Sequence, residues 1–141
     1  MREILFRGKR VDNGEWVYGS LIRMEDEGYQ TFIFPPYNYA SSQTCGQLVA
    51  YGMIAVIPET VGQYTGFTDK NRRRIFEGDV VKGRYSLGFE SPRVVGVVEY
   101  VAAEFVVKGV KQYSWLQKQL NCNFEVIGNK DDNPEMMEVR P

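Results

Sequence analysis

Apolar runs in this chain are short, and a glycine, a proline or an Asn-Gly corner interrupts them. Such a chain folds into brief strands joined by tight turns. Gly and Asn take positive φ at little cost, and Pro ends a ladder because it has no N–H. The first corner is Asn13-Gly14, between "ILFRGKRV" and "EWVYGSLI". It predicts a hairpin closed by a two-residue type I′ turn. In that register Val11 faces Trp16, Lys9 faces Tyr18, Gly8 faces Gly19 and Phe6 faces Leu21. Alternation then places Ile4, Phe6, Val17 and Leu21 on a core face, notched by the two glycines for a close approach. Val11, Trp16, Lys9 and Tyr18 share the other face, where the Lys9 charge can sit over an aromatic ring.

The rest of the chain reads in the same terms. "YQTFIF" is a strand stopped by Pro35-Pro36, and "YNYASSQTCGQ" is an exposed loop. "MIAVIPETVGQYTG" gives a short strand and then a break at Pro58. "RRIF" and "DVVKG" flank a turn at Glu77-Gly78. There Gly78 suits the third position of a type II turn and Asp79 can accept from backbone amides. "RVVGVVEYV" and "AEFVVKGV" form a second hairpin joined near Ala102-Ala103, Val-rich enough to be covered on both sides. "YSWLQKQL" carries the one clear helical signal, with Ser114 as cap and Leu116 and Leu120 on one face. "NFEVIG" is the closing strand. "DDNPEMM" predicts a final turn of helix, with Asn133 as N-cap and Pro134 at the first helical position. The expected class is α+β, mainly antiparallel β. It takes the form of a small curled sheet or partly open SH3-like barrel from about Gly66 onward, with an N-terminal β-hairpin and one or two short helices.

Composition narrows the chemistry. With 141 residues, 43% of them hydrophobic, the chain has material for one domain with a moderate core. Nine Tyr, eight Phe and two Trp favour strands and shallow binding surfaces over a helical bundle. A net charge of -1 creates no global field toward nucleic acid or anionic membrane, so any such attraction must be local. There is no histidine, which removes Ser-His and Cys-His pairs, imidazole metal sites and imidazole proton shuttles. The two cysteines, Cys45 and Cys122, make neither a CxxC pair nor a disulfide framework. The start "MREILFRGKR" is charged, without an apolar signal core, and no apolar run reaches membrane-spanning length. These features predict a cytoplasmic protein with no cofactor, no metal and no membrane partner.

Four groups of residues invite a functional reading. Lys70, Arg72, Arg73 and Arg74 are a basic run with Tyr64 and Phe67 just upstream, the pairing of charge and ring that nucleic acid requires. Strand alternation sends Arg73 to the side opposite Arg72 and Arg74, and solvated turns carry such runs too. Glu77 and Asp79 are the obvious carboxylate pair for acid–base work, against a simpler role in the Gly78 turn. Cys45 lies in a polar loop without a neighbour that lowers its pKa, and Cys122 reads as a partly buried small hydrophobe. Trp16, Tyr18, Tyr37 and Tyr39 are the aromatic material best placed for a protein interface.

Three blocks together carry a resemblance: "FRGKRVDNGEWVYG", "PETVGQYTGFTDKNRRRIFEGDVV" and "FEVIGNKDDNPEMM". The chain resembles the YopX family of phage and prophage proteins. The expected organisation is a single domain of that type over 1–141, with a hairpin and strand region, 1–60, and a barrel-like region, 61–141. The resemblance implies no activity and therefore no catalytic residue. One position departs from the pattern. Where the family reads Asp-Lys-Asn-Gly, this chain has Arg72 in the Gly place. A turn needing positive φ there is strained by Arg unless Asn71 alone takes the left-handed conformation.

The expected function follows from these readings. It is a non-catalytic accessory protein of phage or prophage type that acts by binding or by self-assembly through strand edges and aromatic surface. The alternative is nucleic-acid binding through Lys70–Arg74. A second copy of the chain, nucleic acid, and a phage or host protein are the candidate partners.

Overall fold

The computed structural model describes residues 1–24, 30–35, 52–86 and 88–138. They fall into two units, Met1–Tyr64 and Thr65–Pro141.

The first unit holds β1 (Phe6–Lys9), β2 (Trp16–Met24), β3 (Gln30–Phe34) and β4 (Ile54–Ala55), side by side in the order β4-β3-β2-β1. The start of β5 (Gly62–Thr68) lies on β1 through Phe6↔Gln63 and Arg7↔Gly62. The strand "TFIF" ends before Pro35, and the chain breaks at Pro58 into a 3-10 turn, Pro58–Thr60. Val17, Ile33, Ile54 and Val56 form the core, with Phe6, Leu21 and Val61 against it. The predicted core face is therefore real, except that Ile4 is exposed.

The hairpin register differs from expectation by two residues. Phe6 pairs with Gly19, Gly8 with Val17 and Lys9 with Trp16. The turn is longer than two residues: the Arg10 N–H donates to the Glu15 carbonyl and the Gly14 N–H to the Arg10 carbonyl, both at 2.9 Å. Only Gly14 takes positive φ, at 72°, so the turn is not type I′. A shift of two leaves every side chain on its predicted face, since faces repeat with period two. The glycine notch also survives, though the two glycines are not opposite each other. At Gly8 an added Cβ would meet the Val56 side chain at 3.0 Å, and at Gly19 it would collide with the Phe34–Pro35 backbone.

The second unit takes the end of β5, β6 (Arg74–Phe76), β7 (Asp79–Arg84), β8 (Arg93–Val101), β9 (Glu104–Gly109), β10 (Gln117–Gln119) and β11 (Glu125–Asn129). The last five make a sheet in the order β10-β9-β8-β7-β11. Its edges β10 and β11 do not pair with each other, so the sheet stays open. One face carries the core: Ile75, Val81, Val94, Val98, Val107, Leu116, Leu120, Phe124 and Val126. The Phe124 ring lies over Gly83, where even a Cβ would meet it at 2.6 Å. At the Gly78 corner φ is 91°, and the Asp79 carboxylate accepts the Phe76 N–H at 2.7 Å, as the sequence predicts.

The helices of the α+β expectation are corrected. Among the described residues there are only three-residue 3-10 turns, and the architecture is antiparallel β. "YSWLQKQL" enters β10, which pairs with β9 through Gln117↔Lys108 and Gln119↔Val106. Leu116 and Leu120 do share one buried face, but a spacing of four puts residues together in a strand as well as in a helix. Edge pairing to β9 decides between the two. In "DDNPEMM" the Asn133 carboxamide makes no cap. It turns back and accepts the Asn129 N–H at 3.2 Å, leaving a 3-10 turn at Pro134–Met136.

The type I′ geometry expected at Asn13-Gly14 occurs instead between β8 and β9. Val101 pairs with Glu104, and both intervening residues are left-handed, Ala102 at φ 50° and Ala103 at φ 65°. Alanine pays a Cβ clash in that region of roughly 1–2 kcal/mol per residue, partly offset because glycine loses more entropy on folding. The double replacement Ala102→Asn, Ala103→Gly is expected to raise stability by about 1 kcal/mol, read as a higher urea midpoint at unchanged slope.

Candidate functional site: a cation-lined hollow on the second unit

The site begins with a buried carboxylate. Asp69, 5% exposed, follows β5 and turns the chain on itself. Its Oδ1 accepts the N–H of Asn71 at 2.8 Å and of Arg73 at 2.9 Å, while its backbone N–H donates to the Arg73 carbonyl at 2.7 Å. Its Oδ2 accepts the Val126 N–H of β11 at 3.1 Å. Burial pushes this carboxyl up, but the three backbone N–H donors and the charge of Arg73 outweigh it and hold the pKa below its ordinary value.

The loop so fixed delivers Lys70 and Asn71 to Glu125 at the start of β11. Lys70 Nζ lies 3.3 Å from Glu125 Oε2, and Asn71 Nδ2 donates to Oε1 at 3.2 Å. Lys82, paired with Glu125 across β7 and β11, reaches the same carboxylate at 3.6 Å. The hydrogen bond from Lys70 lowers the Glu125 pKa most. Burial opposes it, and the charges of Lys70 and Lys82 reinforce it.

Around this cluster lies a hollow of about 340 Å³, lined by Lys70, Lys82, Gly83, Arg84, Arg93, Asn123 and Glu125. Lys82, Arg84 and Arg93 are on the sheet face opposite the core, because Val81, Gly83 and Val94 take the other positions. Arg84 and Arg93 are directly opposite each other in the β7–β8 register. Like charges so placed destabilise a strand pair. Among the described residues no carboxylate lies within ion-pair distance of either. Four cations thus face one carboxylate, and that carboxylate is occupied by the two lysines.

The predicted basic run is divided by this geometry. Lys70 lines the hollow, but Arg72, Arg73 and Arg74 do not. They are exposed, and Arg72 holds φ 64°. Arg72 itself, not Asn71, takes the left-handed conformation where the family pattern has Gly. The cations that join Lys70 are Lys82, Arg84 and Arg93. The signal for them was the β7–β8 pairing, which aligns "KGR" with the "R" that opens "RVVGVV".

The other candidates separate as well. Asp79 is buried and occupied at the Gly78 turn. Glu77 lines a different, smaller hollow with Glu99 and Lys130, so the carboxylate pair does not converge. Cys122 is exposed, against the expectation of partial burial, because it lies in the turn before β11. Trp16 is half-buried beneath two cations, Arg7 at 4.5 Å and Lys9 at 5.5 Å from the ring centroid, of which the sequence reading foresaw Lys9 alone. Tyr18 is 43% exposed. Tyr37, Tyr39 and Cys45 lie outside the described residues. No group of metal-ligating side chains occurs among the described residues, and no described helix is long and apolar enough to cross a membrane.

Fold and site together define an antiparallel β protein with a cation-lined hollow on one sheet face. Residues 5–138 match the family model described as YopX protein, and the chain belongs to the YopX family. A similar solved structure is the crystal structure of protein EF1440 from Enterococcus faecalis. It is 17% identical, covers 98% of this chain and 100% of that one, and has a TM-score of 0.47. No curated protein matches the sequence.

Two outcomes are expected from the loop. Asp69→Asn keeps the Oδ1 acceptor but turns an NH₂ toward the Val126 N–H, and should cost about 2 kcal/mol. A folded pKa below the unfolded one means that the carboxylate's contribution is whole above the unfolded value and is lost as pH falls through the folded one. Wild-type urea midpoints should therefore drop below about pH 4, and the variant should lose less over the same interval. Arg72→Gly relieves the left-handed strain and should stabilise by about 1 kcal/mol in the same assay.

Proposed function

We propose that this YopX family member is an accessory protein of phage or prophage type that binds a phosphate-bearing polyanion in the Lys70–Lys82–Arg84–Arg93 hollow, without catalysis. The observation that carries this reading is the Arg84–Arg93 pair. Two guanidiniums set opposite each other, with no carboxylate within ion-pair distance of either among the described residues, cost stability in the free protein, and an anion between them removes the cost. Guanidinium forks match phosphate oxygens, and Asn123 adds a polar amide at the rim. Glu125 acts as a resident counter-ion for the two lysines, so the arginine end of the hollow is the open half.

The reading shifts the expected nucleic-acid contact from Arg72–Arg74 to Arg84 and Arg93 and retains Lys70. Self-association through the Trp16–Tyr18 face is a second reading, favoured by the exposure of Tyr18. Strictly monomeric light scattering at high concentration overturns it.

Binding of a labelled oligonucleotide, followed by anisotropy over a salt series, tests the main reading. R84E/R93E should abolish binding at low salt, while R72E/R73E should leave most of it. Glu125→Gln frees positive charge and should tighten binding and steepen the salt dependence by about one phosphate contact, a change of roughly 0.7–0.9 in the log–log slope. Unchanged binding in R84E/R93E rejects the hollow.

A further inference from the structure

We infer that the second unit takes single-stranded rather than duplex nucleic acid, with Trp115 as its base-stacking residue. This rests on the anion-binding reading above and names the ligand of that site.

The β7–β8 ladder does not stop at Arg84–Arg93. The Tyr85 N–H donates to the Pro92 carbonyl at 3.0 Å, so Tyr85 is the next rung beyond the arginine pair. Its side chain points to the opposite face, where it packs on the edge of the core. The Trp115 and Tyr85 rings meet in a T-shaped contact, with ring centroids 5.9 Å apart and an interplanar angle of 80°. The Lys118 ammonium, from β10, lies 4.8 Å from the Tyr85 ring centroid. Trp115 is nevertheless 58% exposed. An indole fixed by a T-shaped contact with a tyrosine, with more than half its surface in water, is a preset platform. The hairpin that begins at this rung also exposes Phe89 fully. One end of the sheet thus carries phosphate-binding cations on one face and aromatic rings beside a cation on the other.

The strand end decides which polymer fits. A chain that fills the hollow and also reaches Trp115 must turn around the end of the sheet. Duplex DNA is stiff over about 150 base pairs and hides its base faces. A single strand bends freely and offers every base for stacking on a ring, with backbone charges left for the arginines. A free phosphate or a polyphosphate would use the hollow and ignore Trp115.

The test uses the intact chain and a labelled short oligothymidylate, the same strand annealed to oligoadenylate, and inorganic polyphosphate as competitor. The variants are W115A, W115F and R84E/R93E, each checked for an unchanged thermal melt. The expected result is a clear preference for the single strand in the wild type. W115A should lose about tenfold in single-strand affinity, with duplex and polyphosphate binding unaltered, and W115F should recover most of it. A second readout leaves Trp115 in place: in a W16F chain, oligothymidylate should quench the remaining indole. A wild-type preference for duplex, or W115A binding the single strand as tightly as wild type, overturns the inference. If R84E/R93E still abolishes binding in that case, the anion hollow stands and only the choice of ligand falls. If R84E/R93E changes nothing, the hollow falls and the inference with it.

Discussion

The local structure of the second unit depends on one carboxylate spanning a long distance in sequence. Asp69 accepts from Val126, 57 residues away, and from two amides of its own loop. Three donors on one buried anion outweigh the desolvation that burial imposes. The result is a five-residue loop held on the outer side of β11. Lys70 and Asn71 come to Glu125 because this loop is fixed, and not because a surface ion pair could order it alone. Pairs as exposed as Lys70–Glu125 are worth little by themselves. The stable interaction positions the weak ones, and the weak ones set the charge of the hollow.

The same contact bears on assembly. An edge strand invites pairing through its unpaired amides. On β11 the Val126 N–H is already taken by a side chain, and the strand is bulged between Val126 and Gly128. The opposite edge, β10, is three residues long and places Lys118 between two glutamines. Both are familiar ways of blunting a sheet edge. In the second unit, then, the sheet edges are poorly suited to backbone pairing, and the exposed side chains lie on the face and the strand ends.

How much of this was legible in the sequence depends on the range of the interaction concerned. Local rules placed the strands. Alternation in "WVYGSL" gave the correct buried face even though the register slipped by two, because period-two patterning cannot see such a slip. The turn rule chose Asn13-Gly14 for type I′, the residues that adopt it most readily, yet the structure uses Ala102-Ala103. There six residues of β8 pair with the six of β9 and impose the geometry on residues that resist it. Leu116 and Leu120 were read as helical because spacing alone does not separate the periods. The pairing of β10 with β9 does, and that is a tertiary fact. The site was least legible. Lys70 stood out within a run of cations, but its companions lie on two strands and meet it only through the β7–β8 and β7–β11 registers. A run of like charges in sequence drew attention to Arg72–Arg74, whereas a cluster in space is assembled from residues 23 positions apart, as with Lys70 and Arg93.

The charge distribution bears on the proposed anion site. The chain as a whole is nearly neutral, with a net charge of -1. A neutral chain can satisfy its surface cations with its own carboxylates, and this one does so at Lys70, Lys82 and Lys108. Arg84 and Arg93, both exposed, have no such partner among the described residues and lie directly across a ladder. If the pair served only the fold, replacing either by threonine would improve the strand pairing and lose nothing. On the proposed reading, an anionic ligand would offset the repulsion between the two guanidiniums, and that offset would add to its affinity. The pair thus gives the fold no evident benefit, and the anion proposed for the hollow would supply one.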